Sequence, residues 1–115
     1  MTITTLKSAD DRVVCERCKV ASSPFARMRG LLGRSGLESG EGILLRPASS
    51  VHTFFMRFAI DVVFLGRDGE VLKVAKRVPP WRTAAARGAR AVVELPAGEA
   101  GRRGIRVGDR LALAA

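Results

Sequence analysis

The chain has little of several residue types on which recognition and catalysis often depend. Its 115 residues include no Tyr, Asn or Gln, one His, one Trp and two Cys. A closed structural zinc site takes four ligands, so Cys and His alone cannot complete one here. No apolar run approaches the roughly 20 residues of a membrane-spanning helix, and residues 1–7 lack the pattern of a secretory signal. We therefore expect no metal, no cofactor, no membrane segment and a cytoplasmic location, where both cysteines are reduced.

Sequence motifs that would name a reaction are also missing. The chain has no Gly-rich phosphate loop, no G-x-S-x-G elbow and no carboxylate pair at glycosidase-like spacing. The sequence therefore leaves open whether the protein is an enzyme.

The overall composition is that of a folded domain. Hydrophobic residues make up 47% and charged residues 27% of the chain, both ordinary for a globular protein. At this length we expect one domain over residues 1–115, with residues 1–11 as a flexible N-terminus.

Positive charge is in clear excess. The net charge is +9, and the cations are mostly Arg, a bias that also fits G+C-rich coding. A candidate basic face surrounds the loop after Pro79-Pro80 and consists of Arg77, Arg82, Arg87 and Arg90. This face could bind nucleic acid or another polyanion, or its arginines could serve only for solvation.

Short apolar runs separated by Gly and Pro predict a mostly β fold: an antiparallel sandwich or barrel of five to seven short strands with one or two short helices. The Asp68-Gly69 pair predicts a hairpin. Helices are predicted at residues 24–32, where Ser23 can cap, and at residues 97–103. We expect residues 12–21 to be a strand and residues 81–90 to be a loop or single helical turn.

The most apolar segment, residues 51–65, carries the only histidine and an isolated acid. On one straight strand, alternation places His52 and Asp61 on opposite faces and roughly 30 Å apart. So long a strand is unusual, so we expect a bend near Arg57. The bend would divide the segment into a core strand at residues 60–65 and a separate strand or strand end at residues 51–56.

A candidate pocket lies near this bend. Its residues would be His52, Thr53, Met56, Asp61 and Trp81. His52 and Asp61 could act as general acid and base if the bend brings them together. Otherwise the histidine is structural and the carboxylate accepts backbone N–H groups or pairs with an Arg. Trp81 could cover the pocket or plug the end of a barrel.

Cys15 and Cys18 form a C-x-x-C pair, which by itself is a weak signal of metal or redox chemistry. Residues three apart on a regular strand point to opposite faces. We therefore expect one buried and one half-exposed thiol that can neither chelate nor bridge. Glu94 and Asp109, each beside a strand end, are expected to stabilise turns.

Five sequence blocks resemble the family catalogued as domain of unknown function 192. They are residues 26–33 (ARMRGLLG), 40–45 (GEGILL), 52–65 (HTFFMRFAIDVVFL) with 68–71 (DGEV), 93–98 (VELPAG) and 104–109 (GIRVGD). The resemblance covers about residues 15–113. It implies a compact β-rich domain with short helices and implies no mechanism.

Three hypotheses for the function follow from these features. The first is a small non-enzymatic binding or interaction domain with a pocket near His52 and Trp81. The second is an enzyme that uses His52 and Asp61. The third is nucleic-acid or polyanion binding through the arginines, with oligomeric state and partner unspecified.

Overall fold

The computed structural model describes residues 2–23 and 31–114, and this part of the chain is mostly β. The predicted helix at residues 24–32 falls mainly on residues 24–30, outside the described residues, while Leu31 and Leu32 lie in a turn. The described strands are β1 (Thr2–Ser8), β2 (Val13–Ala21), β3 (Glu41–Leu45), β4 (Ser50–His52), β5 (Ile60–Leu65), β6 (Val71–Val78), β7 (Thr83–Ala85), β8 (Ala91–Pro96) and β9 (Leu111–Leu113), with helix α1 (Glu99–Arg102) between β8 and β9.

Seven of these strands form one curled sheet. Their order is β6-β5-β8-β3-β2-β1-β9, and every pair is antiparallel except β2–β3. The two outer strands approach each other at one end, where the Val71 N–H donates to the Asp109 carbonyl at 2.7 Å and the Leu111 N–H donates to the Gly69 carbonyl at 2.9 Å. The result is a half-barrel, which confirms the predicted mostly β fold. The prediction that the strands are antiparallel fails only at the parallel pair β2–β3.

Both faces of the sheet are covered. An inner cluster fills the concave side with residues from seven strands and α1, among them Leu6, Leu44, Val63 and Ala100. An outer cluster lies on the other face and includes Phe64 and Val92, and the small sheet formed by β4 and β7 packs against it. All six residues of β5 are buried for this reason, which explains why its sequence is apolar without alternation.

The apolar segment 51–65 is divided, as predicted. β4 ends at His52 and β5 begins at Ile60, and the intervening residues form turns and bends that include Arg57. The Asp68-Gly69 hairpin between β5 and β6 is also confirmed. Gly69 has φ +84°, and a Cβ there would meet the Leu111 carbonyl at 2.2 Å, so this turn needs glycine where β9 crosses it.

Two loop predictions are wrong. Thr2–Ser8, expected to belong to a flexible N-terminus, form β1, which pairs with both β2 and β9. Residues 83–85, expected to lie in a loop or helical turn, form β7, which pairs with β4. Neither strand has a strong apolar pattern of its own, and each is held by its partners.

The expectation for the two cysteines is wrong because β2 contains a β-bulge. Between the pairs Thr4–Cys18 and Leu6–Cys15, β1 advances by two residues and β2 by three. The extra residue turns Cys15 to the same face as Cys18. Both thiols are therefore fully buried in the inner cluster, and Gly42 leaves room for them, since a Cβ at that position would lie 2.9 Å from the Cys15 sulfur.

Asp61 is structural in the way that the alternative interpretation predicted. Its carboxylate is fully buried. It accepts the Arg77 N–H and the Ala100 N–H, both at 2.9 Å. Arg77 lies at a bulge in β6 with φ 51°, and Ala100 is in the first turn of α1. One carboxylate thus joins β5, the β6 bulge and the helix.

Replacing Asp61 should lower the free energy of unfolding. Asp61→Ala leaves two buried N–H groups without acceptors, at about 1–3 kcal/mol each. We expect the free energy of unfolding in urea to fall by about 3 kcal/mol, and Asp61→Asn to lose less because one acceptor remains. Asp68→Ala, at an exposed turn position, is the matched control and should change little. A loss below about 1 kcal/mol for Asp61→Ala would contradict this role.

The burial of both thiols can be checked directly. The native protein should not react with Ellman's reagent, because neither sulfur reaches solvent. The unfolded protein should release two equivalents, one from each free cysteine. Rapid reaction of one thiol in the native protein would contradict the burial of both and support the predicted half-exposed thiol.

Candidate functional site

The candidate site is a cluster of exposed aromatic rings, which we call the aromatic surface: His52, Phe54, Phe55 and Trp81. The His52 and Phe54 rings stack with centroids 4.9 Å apart, and Phe54 stacks on Trp81 at 5.8 Å. Phe55 meets Trp81 at 4.7 Å with a tilt of 59°. The exposed fractions of Phe54, Phe55 and Trp81 are 37%, 71% and 56%, so the rings touch one another without being covered.

Thr53 holds the two turns that carry these rings. Its buried hydroxyl donates to the Pro79 carbonyl at 2.6 Å and accepts the Arg82 N–H at 2.9 Å. Its main-chain N–H donates to the Arg82 carbonyl at 2.8 Å, and its carbonyl accepts the main-chain N–H of Trp81 at 3.0 Å. The turn after β4 and the turn before β7 are therefore fastened together at one residue.

Two rings of the aromatic surface are held in a costly backbone conformation. Phe55 and Trp81 both have φ 66°, in the left-handed region. That conformation costs a non-glycine residue about 1–2 kcal/mol. Strain of this kind persists only where surrounding contacts enforce it, and it is concentrated at functional sites. Neither ring is buried, so packing of the core does not account for the cost.

The structure brings together some of the predicted pocket residues and not others. His52, Thr53 and Trp81 meet at the aromatic surface. Met56 is beside it, since its N–H donates to the Thr53 carbonyl at 3.2 Å, but its side chain is buried in the outer cluster. Asp61 lies among the inner residues and takes no part. With an exposed fraction of 56%, Trp81 does not plug the barrel.

His52 and Asp61 do not form an acid–base pair. The imidazole is exposed, and its Nδ1 accepts the Phe54 N–H at 3.2 Å. Both carboxylate oxygens of Asp61 are used by backbone N–H groups inside the fold. Within the described part of the chain, no hydrogen bond or ion pair joins the two residues. This geometry does not supply the catalytic contact that the enzyme hypothesis requires.

Sequence analysis did not identify Phe54 and Phe55 as part of the site. A signal was present: two adjacent aromatics at a predicted break in a strand cannot both point into the core. Alternation would have placed one of them outside. The contact of both rings with Trp81 depends on Thr53 and lies beyond sequence reasoning.

The four arginines of the predicted basic face have exposed side chains, and in the described residues none of them is in an ion pair. Arg82 adjoins the aromatic surface, with its Nη1 3.3 Å from the Trp81 carbonyl. In the described residues the ion pairs all lie elsewhere: they involve Lys7, Asp10, Asp11, Arg12, Glu16, Arg34, Glu41, Glu99, Arg102, Arg103 and Asp109.

The cysteine pair is chemically asymmetric. A hydrogen bond between the two side chains lowers the pKa of Cys15, and a hydrogen bond from the Arg17 main-chain N–H lowers it further, against the opposing effect of burial. The same hydrogen bond and burial raise the pKa of Cys18. In the described residues, no three Cys, His, Asp or Glu side chains are grouped as metal ligands.

Glu94 differs from its prediction, whereas Asp109 agrees with it. Asp109 accepts the Arg106 N–H at 2.9 Å within a turn. Glu94 lies in the middle of the sheet between Ile43 and Val62, is buried, and forms no side-chain hydrogen bond in the part of the chain described here. Burial raises the pKa of Glu94 to about 7.

Glu99 is equally buried and behaves in the opposite way. Burial by itself would raise its pKa, but hydrogen bonds from the Gly40 N–H, Arg102 and Ser39 outweigh that effect, so the pKa of Glu99 is lowered. The two glutamates show that hydrogen-bond donors, and not depth alone, decide the charge state of a buried carboxyl.

The described residues also form a shallow groove of about 420 Å³, part of which is open solvent. It lies on the outer side of β1, β2 and β3 and contains none of the aromatic-surface residues. Its charged lining is partly neutralised, since Arg34 pairs with Glu41 at 3.0 Å. The groove therefore offers a weaker site than the aromatic surface.

Comparison with known proteins identifies relatives without an assigned activity. The profile of the domain of unknown function 192 family, described as an uncharacterized ACR, matches residues 4–113. A UPF0127 protein of Thermococcus sibiricus is 34% identical over 100 residues, which cover 83% of this chain and 64% of the relative. A second UPF0127 protein, from Pyrococcus furiosus, is 44% identical over 67 residues, or 57% of each chain. The chain thus spans less than two thirds of the length of these relatives.

Two crystal structures share the fold. A protein of unknown function from Novosphingobium aromaticivorans superposes with a TM-score of 0.82 at 25% identity, covering 96% of this chain and 84% of that one. A Sinorhizobium meliloti protein superposes with a TM-score of 0.83 at 24% identity, covering 96% and 92%, and at that identity it shows the fold alone. No helix in the described residues is long and apolar enough to cross a membrane.

Glu94, which has no side-chain partner among the described residues, is expected to give the protein an unusual pH dependence. Burial raises the pKa of Glu94 in the folded protein to about 7, above the ordinary value of 4.5. Its contribution to stability is therefore complete below pH 4.5 and is lost as the pH rises through 7. Glu94→Gln removes this titration, so its stability relative to the parent should improve by about 3 kcal/mol between pH 4.5 and pH 8. Urea unfolding at the two pH values measures the difference, and an equal effect at both would mean that Glu94 has an ordinary pKa.

Proposed function

We propose that this chain, which belongs to the domain of unknown function 192 family, is a small cytoplasmic binding domain that acts without catalysis, and that its ligand lies on the aromatic surface. One observation carries the proposal: four exposed rings are in contact, and two of them, Phe55 and Trp81, are held on a left-handed backbone. An exposed aromatic group that is fixed in place binds with little loss of conformational entropy.

The conformational cost of the left-handed backbones at Phe55 and Trp81 supports a binding role for these rings over a structural one. Rings that stabilise a fold are buried, and each buried aromatic contributes through the area it removes from water. Here Phe55 and Trp81 remain largely in solvent while their backbones occupy the left-handed region. The fold gains little from these two side chains, so a bound partner is the better explanation of their placement.

The enzyme hypothesis is less well supported. It depends on His52 and Asp61 acting together, and Asp61 is committed to two buried backbone N–H groups. His52 is available at the aromatic surface, but in the described residues no carboxylate orients it. A lone exposed imidazole stacked on Phe54 is better suited to contact a ligand than to exchange protons with a substrate.

The binding role can be tested by a thermal-shift screen. The probes are nucleotides, oligonucleotides, sugars, amino acids and short peptides. A compound that binds only the native state raises the Tm. Phe55→Gly should abolish the shift, yet it should change the free energy of unfolding by no more than about 1 kcal/mol, because relief of backbone strain offsets the lost ring contact.

Three results of this screen would contradict the proposal. The first is a loss of stability above about 3 kcal/mol in Phe55→Gly, which would make the ring structural. The second is a compound that raises the Tm of Phe55→Gly as much as that of the parent protein. Val107→Ala, at another exposed apolar residue, is the matched control and should show the parent's shift in any case. The third is turnover of a bound compound that disappears in His52→Ala.

A further inference from the structure

We propose that the ligand of the aromatic surface is single-stranded nucleic acid, bound by stacking of its bases on Phe55 and Trp81 and by contact of its phosphates with the neighbouring arginines. This inference rests on the proposed function and names its ligand class. Single-strand binding proteins combine base stacking on aromatic side chains with a positively charged track for the backbone. Trp81 and Phe55, whose ring centroids are 4.7 Å apart, supply the aromatic side chains for the first role.

The two rings with most of their surface in solvent, Phe55 (71% exposed) and Trp81 (56% exposed), are the ones suited to bases. Phe54 is already stacked on His52 and on Trp81, whereas Phe55 is tilted by 59° to Trp81, so the two open rings differ in direction. Two bases could stack in succession only if the strand turns between them. A single strand has that freedom, and the stacked bases of a duplex do not.

Charge on this part of the molecule favours a polyanion. The ion pairs of the described residues are confined to residues 7–41 and 99–109. Residues 42–98 carry nine Lys and Arg and four acidic residues, and two of those acids, Asp61 and Glu94, are buried. Arg82 adjoins Trp81, and Arg57 follows Phe55 by two residues in the same turn. A second copy of the chain, also at +9, would be repelled from this surface.

The chain's composition also indicates how sequence would be read. Adenine is recognised chiefly by Asn and Gln, and the chain has neither. Stacking is tolerant of sequence because every base has a π-face. The proposed binding therefore has little base preference and depends on single-strandedness and charge.

Trp81 is the only tryptophan, so its fluorescence reports on this surface without a label. We expect a 12-mer of deoxythymidine, and likewise one of uridine, to quench it on titration in 50 mM salt. A blunt 12-bp duplex should bind more weakly. With two phosphate contacts, the association constant for a single strand should fall about 7-fold between 50 and 200 mM salt.

Matched variants separate stacking from charge. Phe55→Ala should weaken binding about 10-fold at every salt concentration, since it removes one stacking platform, while Ile3→Ala, at another exposed apolar residue, should not. Arg82→Gln should reduce the salt dependence from about 7-fold to about 3-fold. Arg106→Gln, an exposed arginine outside this surface, should leave it nearly unchanged.

The possible outcomes separate a wrong ligand class from a wrong binding site. Unchanged fluorescence with both 12-mers in 50 mM salt, with no shift of labelled 12-mer in fluorescence polarisation, overturns this inference. If a screened compound then raises the Tm in a Phe55-dependent way, the proposed function stands with another ligand. Equal binding of duplex and single strand, unaffected by Phe55→Ala, would mean general attraction to a cationic surface. Sedimentation as a dimer that Phe55→Ala abolishes would make a second copy the occupant.

Discussion

The hydrogen bonds of Thr53 are the interaction on which the candidate site depends. This one buried residue joins the turn after β4 to the turn before β7 through its hydroxyl, its N–H and its carbonyl. The pairing of β4 with β7 brings the two turns side by side, and the Thr53 hydrogen bonds fix the turns in the arrangement where Phe55 and Trp81 meet. The same hydrogen bonds hold Phe55 and Trp81 in their left-handed conformations, although neither ring is buried in return.

Elsewhere in the fold, the role of each buried carboxylate depends on the hydrogen-bond donors around it. Asp61 and Glu99 are buried and fully engaged, and together they fasten α1 to the half-barrel. Glu94 is buried in the sheet with no partner in the described residues, and burial raises its pKa to about 7. The other acids that form ion pairs in the described residues lie before residue 42 or after residue 98. The middle of the chain, which carries the aromatic surface, therefore keeps an excess of positive charge.

Local patterns predicted the parts of the fold that local chemistry controls. Apolar runs identified β5 and β8, the Asp-Gly pair identified the β5–β6 hairpin, and the improbable length of the segment 51–65 identified its break. The demand of a buried carboxylate for donors correctly predicted the bonding of Asp61. β1 and β7 were missed because they have few apolar residues and are held by pairing with other strands, β1 with β2 and β9 and β7 with β4. The same limit hid the β2 bulge, which is visible only as a two-against-three pairing with β1.

The amino-acid sequence by itself determined the β class of the fold, the position of the fully buried strand β5, the excess of positive charge and the lack of any catalytic motif. These follow from composition and spacing, which act over a few residues. Only the tertiary structure decided that Cys15 and Cys18 share one buried face, that His52 and Asp61 stay apart, and that Phe54, Phe55 and Trp81 form one surface. Each of these depends on register and on hydrogen bonds between segments far apart in the chain, and no local pattern contains that information.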